Sequence, residues 1–293
     1  MREEWLKART KGIGGSDAAA VCGVSPWKSA YQVYLEKRGE AEGYGQEDSE
    51  PMFWGRTLEP VIRQRYADVT GRTVTVPQDI LVHPEYDWMI GSLDGLADDR
   101  VLEIKTARSP NGWGEPGSDE IPDFYKIQVF HYMTVTKLSL ADVAVLIGGN
   151  DFRIYEVPLD PELQQLIIER EVAFWEMVKA GTPPEPTTFS DIKQRYGRMS
   201  TPKTVQANLE VLNAIGRLKQ IKELTAEEEN LKAIIMGHLK DAEILVDGER
   251  TLATWRMAKA IKRLDAKGLQ EARPEIYKEF LREGEASRRL LIK

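Results

Sequence analysis

Gly91-Ser92-Leu93-Asp94-Gly95 and, past a loop at Asp98-Asp99-Arg100, Val101-Leu102-Glu103-Ile104-Lys105-Thr106 form the stretch on which the architecture turns. In the second segment charged residues alternate with aliphatics at period two, which predicts a strand carrying Glu103 and Lys105 on one face. Two charges among aliphatics are costly there unless they are paired or bind a metal. Eight residues separate Asp94 from Glu103. Antiparallel strands joined by the loop would therefore bring the two carboxylates together. An acidic residue two before a lysine recurs in Asp191-Ile192-Lys193 and Asp265-Ala266-Lys267, so the apolar context of Glu103, not the spacing, singles it out. Two carboxylates converging beside a lysine suit hydrolysis of a phosphodiester. Asp94, Glu103 and the Ile104 carbonyl offer oxygen ligands to Mg²⁺, which polarises a phosphate and lowers the pKa of a bound water. Lys105 then orients that water or steadies developing negative charge. The plainer alternative is a strand-face salt bridge between Glu103 and Lys105.

The surrounding composition agrees with oxygen-ligand chemistry. The chain has 293 residues, 42% of them apolar and 30% charged, as in an ordinary globular protein. No window holds 18 consecutive apolar residues, and Met1-Arg2-Glu3-Glu4-Trp5-Leu6-Lys7 lacks the apolar stretch of a secretory signal, so the expected location is the cytoplasm. A single cysteine, Cys22, and three histidines, His83, His131 and His238, leave no basis for a thiolate zinc site or an iron–sulfur cluster. Residues 1–190 carry a net charge of −12 and 191–293 a net +5. The acidic body suits carboxylates neutralised by divalent cations, and the basic tail suits a phosphate backbone, the equal alternative being a solvated helical surface.

Organisation follows from punctuation. Thr182-Pro183-Pro184-Glu185-Pro186 can continue neither helix nor central strand, and the domain boundary is placed there, giving 1–190 and 191–293. Helices are expected over 16–22, 28–37, 51–70, 122–137 and 161–180, and strands over 73–76, 80–83, 88–91, 101–106, 142–147 and 153–157, the last two joined as a hairpin by Gly149-Asn150-Asp151. This order predicts an α+β fold, a sheet flanked by helices. Beyond the boundary, Val205, Leu209, Leu212, Ile215, Leu218, Ile221 and Leu224 recur at helical spacing, describing one long amphipathic helix or a helical hairpin. A β-hairpin follows from Ile244 to Trp255 with a turn at Asp247-Gly248, and then a basic stretch, Arg256, Lys259, Lys262 and Arg263.

Taken together, Asp94 and Glu103-Ile104-Lys105 resemble the PD-(D/E)XK nuclease superfamily, and neighbouring motifs over residues 5 to 180 resemble the YqaJ-like viral recombinase family, which contains the bacteriophage lambda exonuclease. Trp5-Leu6-Lys7-Ala8-Arg9 and Ile13-Gly14-Gly15-Ser16-Asp17 look like the family's opening segment, in which Arg9 and Ser16 would receive a DNA 5′-phosphate. Taken alone, Ser16 is equally a plain helix N-cap. Trp54-Gly55-Arg56-Thr57-Leu58-Glu59 resembles the helix that contributes a further acidic residue, making Glu59 a third carboxylate and metal ligand. Tyr125-Lys126-Ile127-Gln128-Val129-Phe130-His131-Tyr132 resembles the helix whose glutamine, here Gln128, sits beside the attacked phosphate. Ser92 sits where the family has a serine near the metal, and stabilising the turn is its alternative role. His131 is read as a packed or surface histidine rather than a base. Leu93 stands where the family often has proline, and the family's iron–sulfur relatives are excluded by the lone Cys22.

The resemblance implies a restriction-endonuclease-like core, a mixed central sheet flanked by helices, with a C-terminal helical and hairpin extension. It also implies a Mg²⁺-dependent 5′→3′ exonuclease on double-stranded DNA, with two ions and with Mn²⁺ as a substitute, leaving 3′ overhangs for a single-strand annealing protein. A homotrimer is the family's assembly. Trp27, Tyr31, Tyr34 and the apolar flank of 51–66 are either its contacts or core, core being the better reading. An endonuclease or nickase on the same fold and a non-catalytic DNA-end-binding scaffold are the alternatives.

Overall fold

The computed structural model describes residues 9–41, 49–198, 204, 206–257 and 264–282. The chain divides into two compact units, Met1–Arg195 and Tyr196–Lys293.

In the first unit the helices are α1 (Gly15–Val21), α2 (Ala30–Arg38), α3 (Glu50–Thr70), α4 (Asp123–Thr136), α5 (Pro161–Ala180) and α6 (Phe189–Tyr196). The strands are β1 (Val74–Thr75), β2 (Leu81–Val82), β3 (Ile90–Gly91), β4 (Gly95–Ala97), β5 (Arg100–Ala107), β6 (Leu140–Ile147) and β7 (Asp151–Pro158). The main sheet has the order β1-β4-β5-β6-β7, with β5 and β6 parallel and the other neighbours antiparallel. It is the expected mixed sheet. Its one parallel pair requires a crossover, and α4 supplies it between β5 and β6.

Alternation along β5 divides the core into two layers. Val101 packs with Val143, Val145, Tyr155 and the α4 residues Val129, Phe130 and Met133, while Leu102 and Ile104 pack with Ile62 and Tyr66 of α3 and Ala144 of β6. Glu103 and Lys105 share the parity of Val101 and so lie on the α4 side. Local chemistry sets the helix ends: Ser29 accepts from the Gln32 N–H in a reciprocal capping box, and Asp160 accepts from the N–H groups of Glu162 and Leu163.

Three details differ from the sequence expectations. The strand that pairs with β5 is Gly95–Ala97, after Asp94, whereas β3 pairs with β2 in a separate ribbon; Gly-Leu-Ala carries no β-branched signal from which to read a strand. The connecting turn is Asp98-Asp99 alone, with Asp98 in the left-handed region (φ 54°). The proline-rich stretch runs directly into α6, whose start is fixed by Thr188 and Asp191 capping one another.

The second unit contains α7 (Leu209–Leu239), a hairpin of β8 (Ile244–Asp247) and β9 (Arg250–Thr254), and the short helices α8 (Ala266–Ala272) and α9 (Pro274–Phe280). The expected long helix is one continuous element, and Asn208 caps it by accepting from the Val211 N–H. The hairpin's loop is Gly248-Glu249, one residue later than expected, with Gly248 (φ 60°) at the first central position, where a side chain would be strained. Trp5 to Ala8, Val205, Lys259, Lys262 and Arg263 lie outside the described residues. No helix among the described residues is long and apolar enough to cross a membrane.

Candidate active site

Register creates the site. Because Gly95 pairs with Leu102, Asp94 stands opposite Glu103 at the mouth of the β4–β5 hairpin. The Asp94 carboxylate is fixed there by the Ile104 backbone N–H, which donates to its Oδ2 at 2.8 Å. Glu103 is 2% exposed. Its Oε1 accepts from Lys105 Nζ and, at 2.7 Å, from Gln128 Nε2, and its Oε2 is buried with no hydrogen-bond partner. Burial, reinforced by the Asp94 and Glu59 carboxylates, pushes the Glu103 carboxyl up to about 8 against the pull of Lys105. Burial likewise raises Asp94, opposed by Lys105 and the Ile104 N–H. Burial would lower Lys105, but Glu103 and Asp94 outweigh it and hold its ammonium above the usual lysine range.

The salt bridge between Glu103 and Lys105 is therefore present, and it occupies only one of the two Glu103 oxygens. A buried carboxylate oxygen without a donor is costly, and a cation or a water bound to one resolves the cost. The donor set is two carboxylates with the Ile104 backbone, all oxygen, which fits a hard divalent ion that keeps several of its waters.

Glu59 stands at the edge of this group. It is half-buried on α3 and paired with Arg63, whose Nε also donates to the Asp94 carbonyl at 2.9 Å. Burial and Asp94 raise its carboxyl, so Glu59 and Asp94 sense one another. Among the described residues, however, no three His, Cys, Asp or Glu side chains come close enough together to hold an ion by themselves. The expected third carboxylate faces the pair without joining it. Ser92 is exposed in the loop two residues ahead of Asp94. His131 is packed as expected, fully buried between Glu171 Oε1 (2.8 Å) and the Ile90 carbonyl (2.9 Å).

A second polar cluster surrounds Arg9 and Ser16. The Arg9 guanidinium donates to Ser16 Oγ and lies 3.6 Å from Asp17. Asp17, fully buried, also pairs with Lys37 at 2.6 Å and Lys28 at 3.5 Å. Burial would raise its carboxyl, but Lys37, Arg9 and Lys28 together hold it well below the usual range. Lys28 further pairs with Glu36 at 2.7 Å. Lys28, Lys37 and Asp17 were not among the sequence-derived candidates. They come from α1, α2 and the segment before α2, and no local motif links them.

The two clusters are joined through α4. Tyr132 lies one turn beyond Gln128, whose Nε2 reaches its hydroxyl at 3.4 Å, and the Tyr132 ring fills the space that a side chain at Gly15 would need. The basic cluster thus abuts Tyr132, Tyr132 touches Gln128, and Gln128 touches Glu103.

Comparison with known proteins agrees with this architecture. Residues 4–139 match the model of the YqaJ-like viral recombinase domain. The chain is 33% identical over 295 aligned residues to the protein YqaJ of Bacillus subtilis (strain 168), covering 96% of this chain and 91% of that one. A crystal structure of LHK-Exo in complex with dAMP superimposes with a TM-score of 0.50 at 22% identity, covering 66% of this chain and 97% of that one. A second structure of LHK-Exo, an alkaline exonuclease from Laribacter hongkongensis, gives a TM-score of 0.49 at 24% identity over 61% of this chain and 93% of that one. LHK-Exo thus shares the fold of the sheet and its flanking helices, and by sequence and domain match the chain belongs to the YqaJ-like viral recombinase family.

Proposed function

We propose that the chain is a Mg²⁺-dependent exonuclease that degrades one strand of double-stranded DNA from a phosphorylated 5′ end. It would act in the cytoplasm of a bacterial or phage-infected cell and leave 3′ overhangs for a single-strand annealing protein. Residues 1–190 form the nuclease domain and 191–293 an extension that meets DNA or that partner. The observation that carries this reading is Asp94 facing Glu103 across the β4–β5 hairpin, with Lys105 and Gln128 both on one Glu103 oxygen and the other oxygen unpartnered. The exonuclease likeness of the fold and the family's recombinase character support it.

Asp94, Glu103 and the Ile104 carbonyl would hold the divalent ion, with Glu59, paired with Arg63, as the further carboxylate beside them. A bound ion would polarise the scissile phosphate and make a bound water more acidic. Lys105, kept charged by its two carboxylate neighbours, offsets negative charge developing on the phosphate oxygens. Gln128 directs its amide nitrogen to Glu103 and Tyr132, which leaves its carbonyl oxygen to accept a hydrogen bond from the attacking water. Arg9, Ser16 and Lys28 receive the terminal 5′-phosphate, and Ser92 contacts the backbone near Asp94. Backbone contacts dominate because an exonuclease must ignore sequence.

One gel tests the proposal. Linear duplex with a 5′-phosphate, linear duplex without it and closed circular DNA are each incubated with Mg²⁺, with Mn²⁺ and with EDTA, using wild-type protein and the Lys105→Ala variant. The expected outcome is metal-dependent release from the phosphorylated linear duplex alone, abolished by Lys105→Ala. Cutting of the closed circle would establish the endonuclease alternative, and end binding without release would establish the scaffold.

A further inference from the structure

Trp27 is a large aromatic residue that neither the core nor the proposed chemistry uses. Tyr31 and Tyr34 are buried, as expected of core, but Trp27 is 67% exposed, although it is held in place. Phe124 meets it edge-to-face at a centroid distance of 4.7 Å and Tyr125 lies 6.0 Å away. Tyr125 in turn contacts Trp113 at 5.7 Å, and Trp113 contacts the fully buried Tyr155 at 5.2 Å. A line of aromatic rings therefore runs from the core to the surface and ends in an indole fixed by its neighbours.

The two rings nearest the surface, Trp27 and Tyr125, meet the charged clusters. Trp27 directly precedes Lys28, which belongs to the Arg9–Ser16–Asp17 cluster, while Lys105 Nζ sits 4.8 Å above the centre of the Tyr125 ring. An apolar ring surface flanked by cations on two sides matches one repeat of a nucleic acid, with a phosphate at each end and a flat, weakly hydrated base between them. Stacking on an aromatic face is sequence-tolerant, because every base presents a π-surface.

The geometry points to a nucleobase-stacking platform: Trp27, braced by Phe124 and Tyr125, receives the base of the 5′-terminal nucleotide, whose own phosphate lies in the Arg9–Lys28 cluster and whose 3′-side phosphate lies at Lys105. This assignment rests on the proposed exonuclease reading and adds to it the group that grips the nucleotide to be released. A fixed ring loses little freedom when the base arrives, so most of the stacking energy goes into holding the end.

The test uses the full chain as wild type, Trp27→Ala, Trp27→Phe and Phe124→Ala, and two 5′-phosphorylated duplexes, one with 2-aminopurine and one with an abasic residue as the 5′-terminal nucleotide. Binding is measured in EDTA by anisotropy and by 2-aminopurine fluorescence, release is measured with Mg²⁺, and sedimentation gives the oligomeric mass. Wild type and Trp27→Phe should quench the terminal 2-aminopurine. Trp27→Ala should abolish quenching and weaken binding of the base-bearing end about 5- to 150-fold, and Phe124→Ala should fall between them. All four proteins should bind the abasic end alike. Loss of affinity by Trp27→Ala on both ends, unchanged quenching, or a lower oligomeric mass in Trp27→Ala would overturn the platform, the last by assigning Trp27 to a subunit contact. The two readings fail separately: quenching without nucleotide release refutes the exonuclease alone, and release without quenching refutes the platform alone.

Discussion

Glu103 works against the fold and, in the proposed reaction, for the chemistry. Burial beside Asp94 disfavours its charge, and one of its oxygens is buried without a hydrogen-bond partner, a cost that the proposed ion-binding role offsets. Asp94→Asn, Glu103→Gln and Lys105→Met should each lower nucleotide release by about 10²–10⁴-fold while the protein still folds, as judged by circular dichroism. Asp17 is the opposite case, a charge that the fold needs. Its carboxyl is held below the 3.8 of an ordinary aspartate by Lys37, Arg9 and Lys28 despite burial, so the folded state binds its proton more weakly than the unfolded chain does. That contribution to stability is complete above pH 3.8 and is lost as the pH falls below it. Asp17→Asn also leaves Lys37 buried without its counter-ion, at a cost of about 3–5 kcal/mol. Urea unfolding at pH 7, 5, 4 and 3 should show the variant less stable at neutral pH and with a shallower decline in acid. Equal curves for variant and wild type would separate Asp17 from the stability of the basic cluster.

At the scale of elements, α4 is the organiser. Gln128 on one turn reaches Glu103, while His131 and Tyr132 on the next anchor the helix to Glu171, the Ile90 carbonyl and α1. A methyl group at Gly15 would lie 2.5 Å from the Tyr132 ring, so the ring must move and Gln128 with it. Gly15→Ala should cost about 1–3 kcal/mol in unfolding experiments and should lower turnover more than end binding; unchanged turnover in a folded variant would uncouple α1 from Gln128. This organisation was partly legible in the sequence. Alternation from Val101 to Thr106 and the distance back to Asp94 gave both the β5 face and the facing carboxylates, because strand periodicity and a short hairpin are local. Glu59 was reached only through family resemblance, since an acidic residue before Pro60 looks like surface. Lys28 and Lys37 stayed hidden because they meet Asp17 across 11 and 20 residues, a distance that no motif spans. The α6 start was missed although Thr188 and Asp191 form a capping signal, because the adjacent prolines read as linker.

At the scale of the whole molecule, charge is distributed against the proposed substrate. Residues 1–190 carry a net −12 and the remainder a net +5, so in the proposal the nuclease body repels DNA at long range and binds it at the two clusters that hold Arg9 and Lys28 and, separately, Lys105. In the proposal the basic extension supplies the missing attraction. Each phosphate neutralised by a lysine or arginine releases condensed counterions and steepens the fall of affinity with salt by roughly 0.9 in the log–log slope. A chain ending at Arg198 keeps α6 and every residue of both polar clusters. It should therefore still cleave short phosphorylated duplexes with Mg²⁺, while its affinity measured between 50 and 300 mM NaCl should be lower at the low-salt end and fall along a shallower slope than that of the full chain. Parallel slopes would show that the extension carries no phosphate contacts and would assign its charge to a protein partner instead. Failure of the shortened chain to fold would make residues beyond 198 part of the nuclease body. The slope is more informative than affinity at any one salt concentration, because it counts the phosphates held by the extension separately from those held by the site.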